Sequence, residues 1–514
     1  MSDDPNQWSS VRRFLGVARP VWIPQDEQDR IAAYEKYNEL YQNEPRQFSL
    51  RVLEGEQPLY IPNARVIVDT TAYYILKGLE LVVDGGSAAT KKTLQAFLDR
   101  EAFYSRFHTA KHAGVAKGDF VFHLTGNPKK REGRRLSLNS VDPGSVFPVW
   151  DMHTPDKMLK CHLVTVYNDP NDNKSYVNKL TYELEEDELG NRRVSRQQGI
   201  YELEPKWYGE QPKLVRTILA KGYLDQRIDT IPVYWFRNRA WDGEDFGSSE
   251  LRGFESLLQT VSQSATDVSA SLSLEGLGVY ATDGGRPVND SGAEVDWEVA
   301  PGRVMEVPQG SYFRRVEGVT SITPATDQIS YIERKMMEGA SLSDVALGKV
   351  DAQVAQSGIA LAIKFMPTLA KVEQRDQAGI ARLKQLFYDW MVWHEVFEHE
   401  ALEGEVVPTI GDKLPTDRKA KVEELNNMLD RRVISTKYYR DEMEKLGYEF
   451  PRNIQDQIDE DLARNAVSKN QQEDQGDDEE TSEDDETSTD GNTLEDQNSS
   501  NNKDRPNESS GTEA

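Results

Sequence analysis

Residues 348–377, GKVDAQVAQSGIALAIKFMPTLAKVEQRDQ, join a run of small residues to the longest helical pattern in the chain. The segment before Gly358 has few large apolar side chains, so we expect a flexible loop there. From Gly358 to about residue 397, the spacing of apolar residues predicts one helix. Pro367 lies inside that helix and is expected to kink it, because proline has no backbone N–H and its ring clashes with the preceding turn.

A second long helix is predicted for residues 248–274, SSELRGFESLLQTVSQSATDVSASLSL. Its apolar stripe, with steps of three and four, consists of Leu251, Phe254, Leu258, Val261, Ala265, Val268 and Leu272. Ser248 is a suitable N-cap, and the opposite face is mostly Ser, Thr and Gln. Such a helix either lies in the core of its own subunit or packs side by side with neighbours in an assembly.

The remaining patterns divide the chain around these two helices. Residues 1–247 read as an α+β unit with helices at 31–41, 63–77 and 91–108 and a β-rich region from 118 to 238, in which NDPNDNK (168–174) is a strong turn signal between two strands. Residues 275–324 are rich in Gly, Pro and short β-like pieces, which is typical of a small projecting module. A helix is predicted at 325–339, with Ile329, Ile332 and Met336 on one face. Three short helices are predicted at 417–430, 436–446 and 453–466, the second with Ser435 as its N-cap.

Charge is distributed unevenly along the 514 residues, whose net charge is -27. Residues 471–514 contain sixteen Asp and Glu against Lys503 and Arg505, so this tail carries -14 and the rest of the chain -13. The tail has almost no apolar surface to bury, so we expect it to be disordered. The acidic body argues against a basic nucleic-acid clamp.

The single cysteine is consistent with a reducing cytoplasm, and the hydropathy predicts neither a signal peptide nor a membrane span. Cys161 is the only cysteine, so an intrachain disulfide and a cysteine-based zinc site are excluded. The first residues lack the basic start and apolar stretch of a signal peptide. No window approaches the roughly 20 apolar residues of a membrane span.

Two stretches imitate enzyme motifs, but neither fits. In HEVFEH, His394 and His399 are five residues apart, which puts them roughly 140° apart around a helix, so they cannot share one zinc ion. GGSAATKKT, residues 85–93, lacks the second glycine of a phosphate-binding loop, and there is no Gly-x-Ser-x-Gly elbow. We therefore expect no enzyme activity, no cofactor and no metal site.

KKREGRR, residues 129–135, is the one dense basic run in the acidic body. A solvated turn is the ordinary interpretation of such a run. The alternative is a contact for an acidic partner or a nucleic acid.

The order of several stretches resembles the portal proteins, or head-to-tail connectors, of tailed bacteriophages. RVIVDTTAYYILKGLEL (65–81) is similar to the early helix, glycine and strand of that family, and GDFVFHLT with VDPGSVFPVWD (141–151) to its β-rich wing. Residues 231–267 resemble its strand–linker–helix entry to the stem. SGIALAIKFMPTLAKVEQR (357–375) is similar to the start of its long wing helix, and residues 414–443 to its crown. The likeness covers roughly residues 30–465.

The resemblance implies an α+β, multi-domain, ring-forming portal fold with a β-rich wing, helical stem, small β/α clip, long kinked wing helix and α-helical crown. In those terms the wing comprises 1–247 together with the long helix 357–396. The other parts are the first stem helix 248–274, the clip 275–324, the second stem helix 325–339, the tunnel loop 340–356, the crown 397–467 and the disordered acidic tail 468–514.

The function that the resemblance implies is a ring, usually of twelve copies, at one capsid vertex of the virion. Terminase docks on such a ring, double-stranded DNA passes through it during packaging and ejection, capsid and scaffolding proteins assemble on it, and a neck adaptor later binds it. No membrane is involved. Rival hypotheses are a non-channel capsid or neck protein and a DNA-packaging ATPase or nuclease.

The resemblance also implies roles for particular residues. The tunnel loop would present Ser343, Asp344, Lys349 and Asp351 to the DNA. Packing of the stem would use Leu251, Phe254, Leu258, Val261 and Val268. A conduit must pass DNA without gripping it, and a strongly acidic ring repels the duplex, so Lys349 would touch phosphates only transiently.

Overall fold

The structure is a computed structural model. It describes residues 26–53, 56–154, 157–170, 172, 174–186, 190–203, 213–241, 243–277, 280–286, 291–294, 310–315, 322–349, 358–413, 418–448, 450–451, 454–455 and 457–459. The predicted third crown helix and the acidic tail therefore lie largely or wholly outside the described residues. The chain divides into two compact units, residues 1–415 and 416–514.

The described residues of the first unit contain both helices and strands, as expected for an α+β chain, whereas those of the second unit contain helices. In chain order they are α1 (Asp26–Gln42), α2 (Asn63–Tyr74), β1 (Glu80–Asp84), α3 (Ala88–Arg100), α4 (Phe103–Lys117), β2 (Asp119–Gly126), β3 (Leu136–Val141), β4 (Val146–Trp150), β5 (Met158–Asp169), β6 (Lys174–Glu186), β7 (Arg192–Leu203), β8 (Lys213–Tyr223), β9 (Val233–Arg237), α5 (Glu255–Leu277), β10 (Tyr280–Thr282), β11 (Phe313–Arg315), α6 (Thr323–Gly339), α7 (Gly358–Glu398), β12 (Glu405–Thr409), α8 (Arg418–Asp430) and α9 (Thr436–Lys445).

The strands form four antiparallel sheets in the described part of the chain. The largest has the order β4-β5-β6-β7-β8, and a second has the order β3-β2-β9. The turn signal at 168–174 is confirmed, because β5 and β6 form a hairpin in which Asp169 pairs with Lys174. β1 pairs with β12 across more than 300 residues of sequence, and β10 pairs with β11.

Two helix predictions need correction. The single helix expected at 91–108 is two helices, α3 and α4, separated where Ala102 takes a positive φ of 47°. The helix expected from residue 248 begins only at Glu255. Gly253 has φ 94°, which a right-handed helix cannot accommodate, so the N-cap assigned to Ser248 is wrong.

The core of the first unit is built around α7, whose 41 residues span about 62 Å. One face carries Leu383, Phe387 and Trp390, each 0 % exposed. Their rings meet the helices α3 and α4: Trp390 lies 5.1 Å from Phe97, and Phe387 lies 5.4 Å from Phe103 between ring centroids. The long helix predicted from Gly358 is thus confirmed, with one face buried in the core, and it continues through Pro367.

A buried arginine joins α1 to the β-rich region. Arg30 donates from Nη1 to the carbonyl of Pro143 at 2.8 Å and from Nη2 to that of Val146 at 3.0 Å. Its guanidinium lies 4.5 Å from the ring centroid of Phe246, a favourable cation–π distance. Phe246 lies in the segment between β9 and α5.

The second unit contains α8 and α9. Ser435 caps α9 as predicted, accepting a hydrogen bond from the Tyr438 N–H at 3.1 Å. Tyr439 of α9 donates its hydroxyl to Asn426 of α8 at 2.8 Å. Among the described residues of both units, no helix is long and apolar enough to cross a bilayer.

Candidate functional site

The candidate site is the pair of packed helices α5 and α6, together with the segment 340–349 that follows α6. Leu251, Leu258 and Val261 are at most 1 % exposed, whereas Phe254 and Val268 are half-buried. Leu251 and Phe254 precede α5 and are not part of it. On α6, Ile329, Ile332 and Met336 share the inward face as predicted, and Met336 is fully buried.

The polar face of α5 is satisfied within the subunit. Ser262 and Thr266, at most 2 % exposed, accept hydrogen bonds from the backbone N–H groups of Ile61 and Leu59 at 3.2 and 3.0 Å. Gln263 both accepts from the Arg51 N–H at 2.7 Å and donates to the Arg51 carbonyl at 2.9 Å. The Ser, Thr and Gln side chains therefore bind the backbone of residues 51, 59 and 61, which lie along the helix.

The start of the predicted tunnel loop is anchored to α7. Thr368, fully buried, donates its hydroxyl to the Ser341 carbonyl at 3.0 Å and accepts from the Ser343 N–H at 3.1 Å. Leu342 is only 4 % exposed. Ser343 then accepts from the Ala346 N–H at 3.2 Å and begins one helical turn that ends at Gly348, where φ is 77°. Residues 340–343 thus form a fixed base for residues 344–349.

The four residues expected to face DNA occupy different environments. Asp344 and Lys349 are exposed, and the Lys349 N–H donates to the Asp344 carbonyl at 2.8 Å. Ser343 is half-buried and serves as a cap. Asp351 lies outside the described residues.

A buried cluster of charges lies where the segment between β9 and α5 meets α7 and the end of α6. Glu250, whose side chain is 3 % exposed, contacts Lys371 Nζ through Oε1 at 2.6 Å and Arg375 Nη2 through Oε2 at 2.8 Å. Burial raises the pKa of Glu250, but Arg375 and Lys371 outweigh it and hold that pKa below its usual range. Lys371 also donates to Thr71 Oγ1 and to the Ala340 carbonyl at 2.9 and 2.6 Å, so it ties the base of the loop to two helices.

The basic run 129–135 is an exposed turn between β2 and β3, and the side chain of Glu398 at the end of α7 anchors its backbone. The Glu398 carboxylate accepts from the N–H groups of Gly133 and Arg135 at 2.7 and 2.8 Å. Lys129 and Arg131 are exposed to solvent. The ordinary interpretation, a solvated turn, agrees with this geometry.

The two histidines of HEVFEH are separated as the spacing predicts. His394 is buried near the end of α7, and its Nδ1 lies 2.9 Å from the Glu400 carbonyl oxygen, which makes Nδ1–H the donor. His399 is exposed beyond the helix with φ 63°. Among the described residues, no group of three His, Cys, Asp or Glu side chains is arranged to hold a metal ion. Cys161 is buried, which raises the pKa of its thiol.

Three solved chains resemble this one over most of its length. One belongs to the virion of the native gene transfer agent particle, with 11% identity, a TM-score of 0.41, and coverage of 83% of this chain and 94% of that one. The others come from the neck of the empty particle, computed with C6 symmetry (11%, 0.42, 85% and 98%), and of the native particle, computed with C12 symmetry (12%, 0.41, 85% and 98%). No protein-family model and no curated protein matches the sequence.

Sequence reasoning missed the residues that connect these elements. In the sequence Glu250 is only an acidic residue near a predicted helix start, and no pattern indicates the roles of Lys371, Arg375 and Thr368. One signal is present, because a threonine directly after Pro367 in an apolar helix stretch suggests a hydroxyl with a specific partner. Nothing in the sequence indicates that this partner lies 25 residues upstream.

Proposed function

We propose that the chain is a portal protein that forms a ring at one capsid vertex and conducts double-stranded DNA. The supporting observation is the order of elements in the described residues. The packed helices α5 and α6 have the short β10–β11 pair between them in sequence, and a loop anchored to the 41-residue helix α7 follows. In this proposal the chain is a structural protein and not an enzyme.

Exposed apolar side chains on the same helices support assembly into a ring. Leu272 on α5 is 46% exposed and Tyr331 on α6 is 52% exposed, while Ile363 and Met366 on α7 are 66% and 61% exposed. Apolar groups left on solvent-facing helices favour burial against another protein surface. Leu258, by contrast, is already 1 % exposed within one subunit, so it reports on folding and cannot test assembly by itself.

The role of the loop in DNA passage is supported by its charge and its anchoring. Its base is fixed at Ser341 and Ser343, and Lys349 is exposed beyond it. One exposed cation makes a weak, sequence-independent contact to phosphate, which suits a moving duplex. The net charge of -27 per chain opposes tighter binding. Terminase docking, capsid initiation and neck attachment belong to the same proposal.

Negative-stain electron microscopy of the purified chain tests the proposal. We expect rings with a central hole, and light scattering should give the corresponding mass. Leu272→Glu combined with Tyr331→Glu should yield monomers, whereas Met152→Glu, at a 95% exposed position on the β4–β5 connection, should leave rings intact. A wild-type chain that stays monomeric at tens of micromolar would refute the ring, and measurable ATP hydrolysis would favour the packaging-enzyme alternative.

A further inference from the structure

A cavity of about 660 Å³ opens between α4, the end of β9 and α7, beside the base of the 340–349 segment. Its described lining is strongly cationic. The basic side chains that line it are Lys111, Arg237, Arg239, Lys371, Arg375 and Arg382, and Glu250 is the one acidic side chain among the described lining residues. Such an excess of positive charge inside a concave surface requires an explanation, because like charges repel most strongly away from bulk water.

Lys111 is the least compensated of these cations. It is 5 % exposed, and its Nζ donates to the Ile75 carbonyl at 2.7 Å. An ammonium group has three donors, and no carboxylate pairs with Lys111 among the described residues. Burial lowers its pKa to about 8, which expresses the cost of holding this charge without a counterion.

Arg375 also carries positive charge and an N–H donor that are not fully compensated. Its side chain is 9% exposed and its Nη2 contacts Glu250, but Nη1 is buried and has no hydrogen-bond partner in the described part of the chain. Glu250 already divides one negative charge between Arg375 and Lys371. At Lys111 Nζ and Arg375 Nη1, the cavity therefore holds donors and positive charge that no carboxylate among the described residues fully matches.

We propose that this cavity binds a small, multiply charged anion of the phosphate class. Guanidinium groups recognise phosphate oxygens through paired N–H donors, and several cations around one cavity match an anion carrying two or more charges. The volume lies within the range of small-molecule sites and exceeds what one inorganic phosphate needs. A diphosphate or a nucleoside polyphosphate fits this description.

This inference goes beyond the channel function, because duplex DNA is too wide to enter the cavity. The cavity adjoins the base of the loop, so a bound ligand can affect the loop. Gly339, Ala340 and Ser341 line the cavity, and Lys371 donates to the Ala340 carbonyl at 2.6 Å. An anion that attracts Lys371 would therefore act directly on the contact that fixes the base of the loop.

Isothermal titration of the full chain with pyrophosphate, inorganic phosphate and ATP tests the site, with sodium chloride added to equal ionic strength. We expect one equivalent per chain for at least one phosphate compound and none for chloride. Tighter binding of pyrophosphate than of ATP would assign the site to free inorganic phosphates, and the reverse would assign it to nucleotides. If none of the three binds above the chloride control, the proposal is overturned.

Two variants connect binding to the cavity. Lys111→Met should weaken binding at least tenfold while leaving the melting temperature of the ligand-free chain unchanged or higher, because the lost hydrogen bond to the Ile75 carbonyl is offset by removal of a buried charge that has no countercharge. Arg239→Gln, at an exposed position on the rim, should weaken binding severalfold without touching the core. Lys92→Met, on the exposed face of α3, is the matched control. Wild-type affinity in both cavity variants would place the anion elsewhere and refute the assignment.

Discussion

Replacing Glu250 by glutamine should be among the most destabilising single changes in the first unit. The substitution keeps the shape of the side chain but removes the negative charge that Lys371 and Arg375 share at 2.6 and 2.8 Å. All three side chains are at most 9% exposed, so water screens the remaining positive charges poorly. Removing one member of a buried ion cluster costs about 3–5 kcal/mol, because the remaining charges stay buried without compensation.

The expected value lies near the lower end of that range. Lys371 keeps its hydrogen bonds to Thr71 and Ala340, and the glutamine amide oxygen can still accept one hydrogen bond. We therefore expect Glu250→Gln to lower the free energy of unfolding by about 3 kcal/mol. Urea denaturation followed by tryptophan fluorescence measures this, with the midpoint and slope determined for each variant.

Two comparisons isolate the cause. Glu244→Gln removes a pair with Arg252 in which both side chains are more than 40% exposed, so it should cost less than about 1 kcal/mol. Replacing the whole cluster, with Glu250→Gln, Lys371→Met and Arg375→Met together, should recover much of the loss, since no buried charge of the cluster remains. A Glu250→Gln cost no larger than that of Glu244→Gln, or a triple variant less stable than the single one, would refute the role of buried charge.

Three further predictions concern the loop, the pH dependence and the polar face of α5. Lys349→Ala should leave rings and capsids intact but alter DNA retention or packaging efficiency; an unchanged packaging rate at two salt concentrations would remove this residue from the channel. Burial raises the pKa of Asp389 to about 6, so the folded state binds its proton more tightly and wild-type stability should fall as pH rises from about 4 to 6. Asp389→Asn should therefore gain stability relative to wild type across that interval in thermal melts, and an equal difference at pH 4.5 and 7.5 would contradict the assignment. Ser262→Ala with Thr266→Val should speed hydrogen exchange at the Leu59 and Ile61 amides, whereas Ser271→Ala, which bonds only within α5, should not.

The sequence alone determined the local elements whose signals are strong and periodic. The apolar spacing from Gly358 predicted α7, and the turn signal at 168–174 predicted the β5–β6 hairpin. Ser435 was identified as the cap of α9 because capping chemistry is local. These predictions succeeded because the residues that decide each element lie within a few positions of one another.

Only the tertiary structure decided the start of α5, the partners of its polar face and the position of the charged groups. The positive φ of Gly253 prevents the helix from starting at residue 248. Backbone groups about 200 residues upstream are the hydrogen-bond partners of the Thr and Gln side chains on α5. Glu250 meets Lys371 and Arg375 across more than 100 residues. Hydrogen bonds and ion pairs of this kind depend on which backbone and charged groups the packed core brings together. The spacing of residues in the sequence does not indicate which distant groups will lie close together in the folded chain.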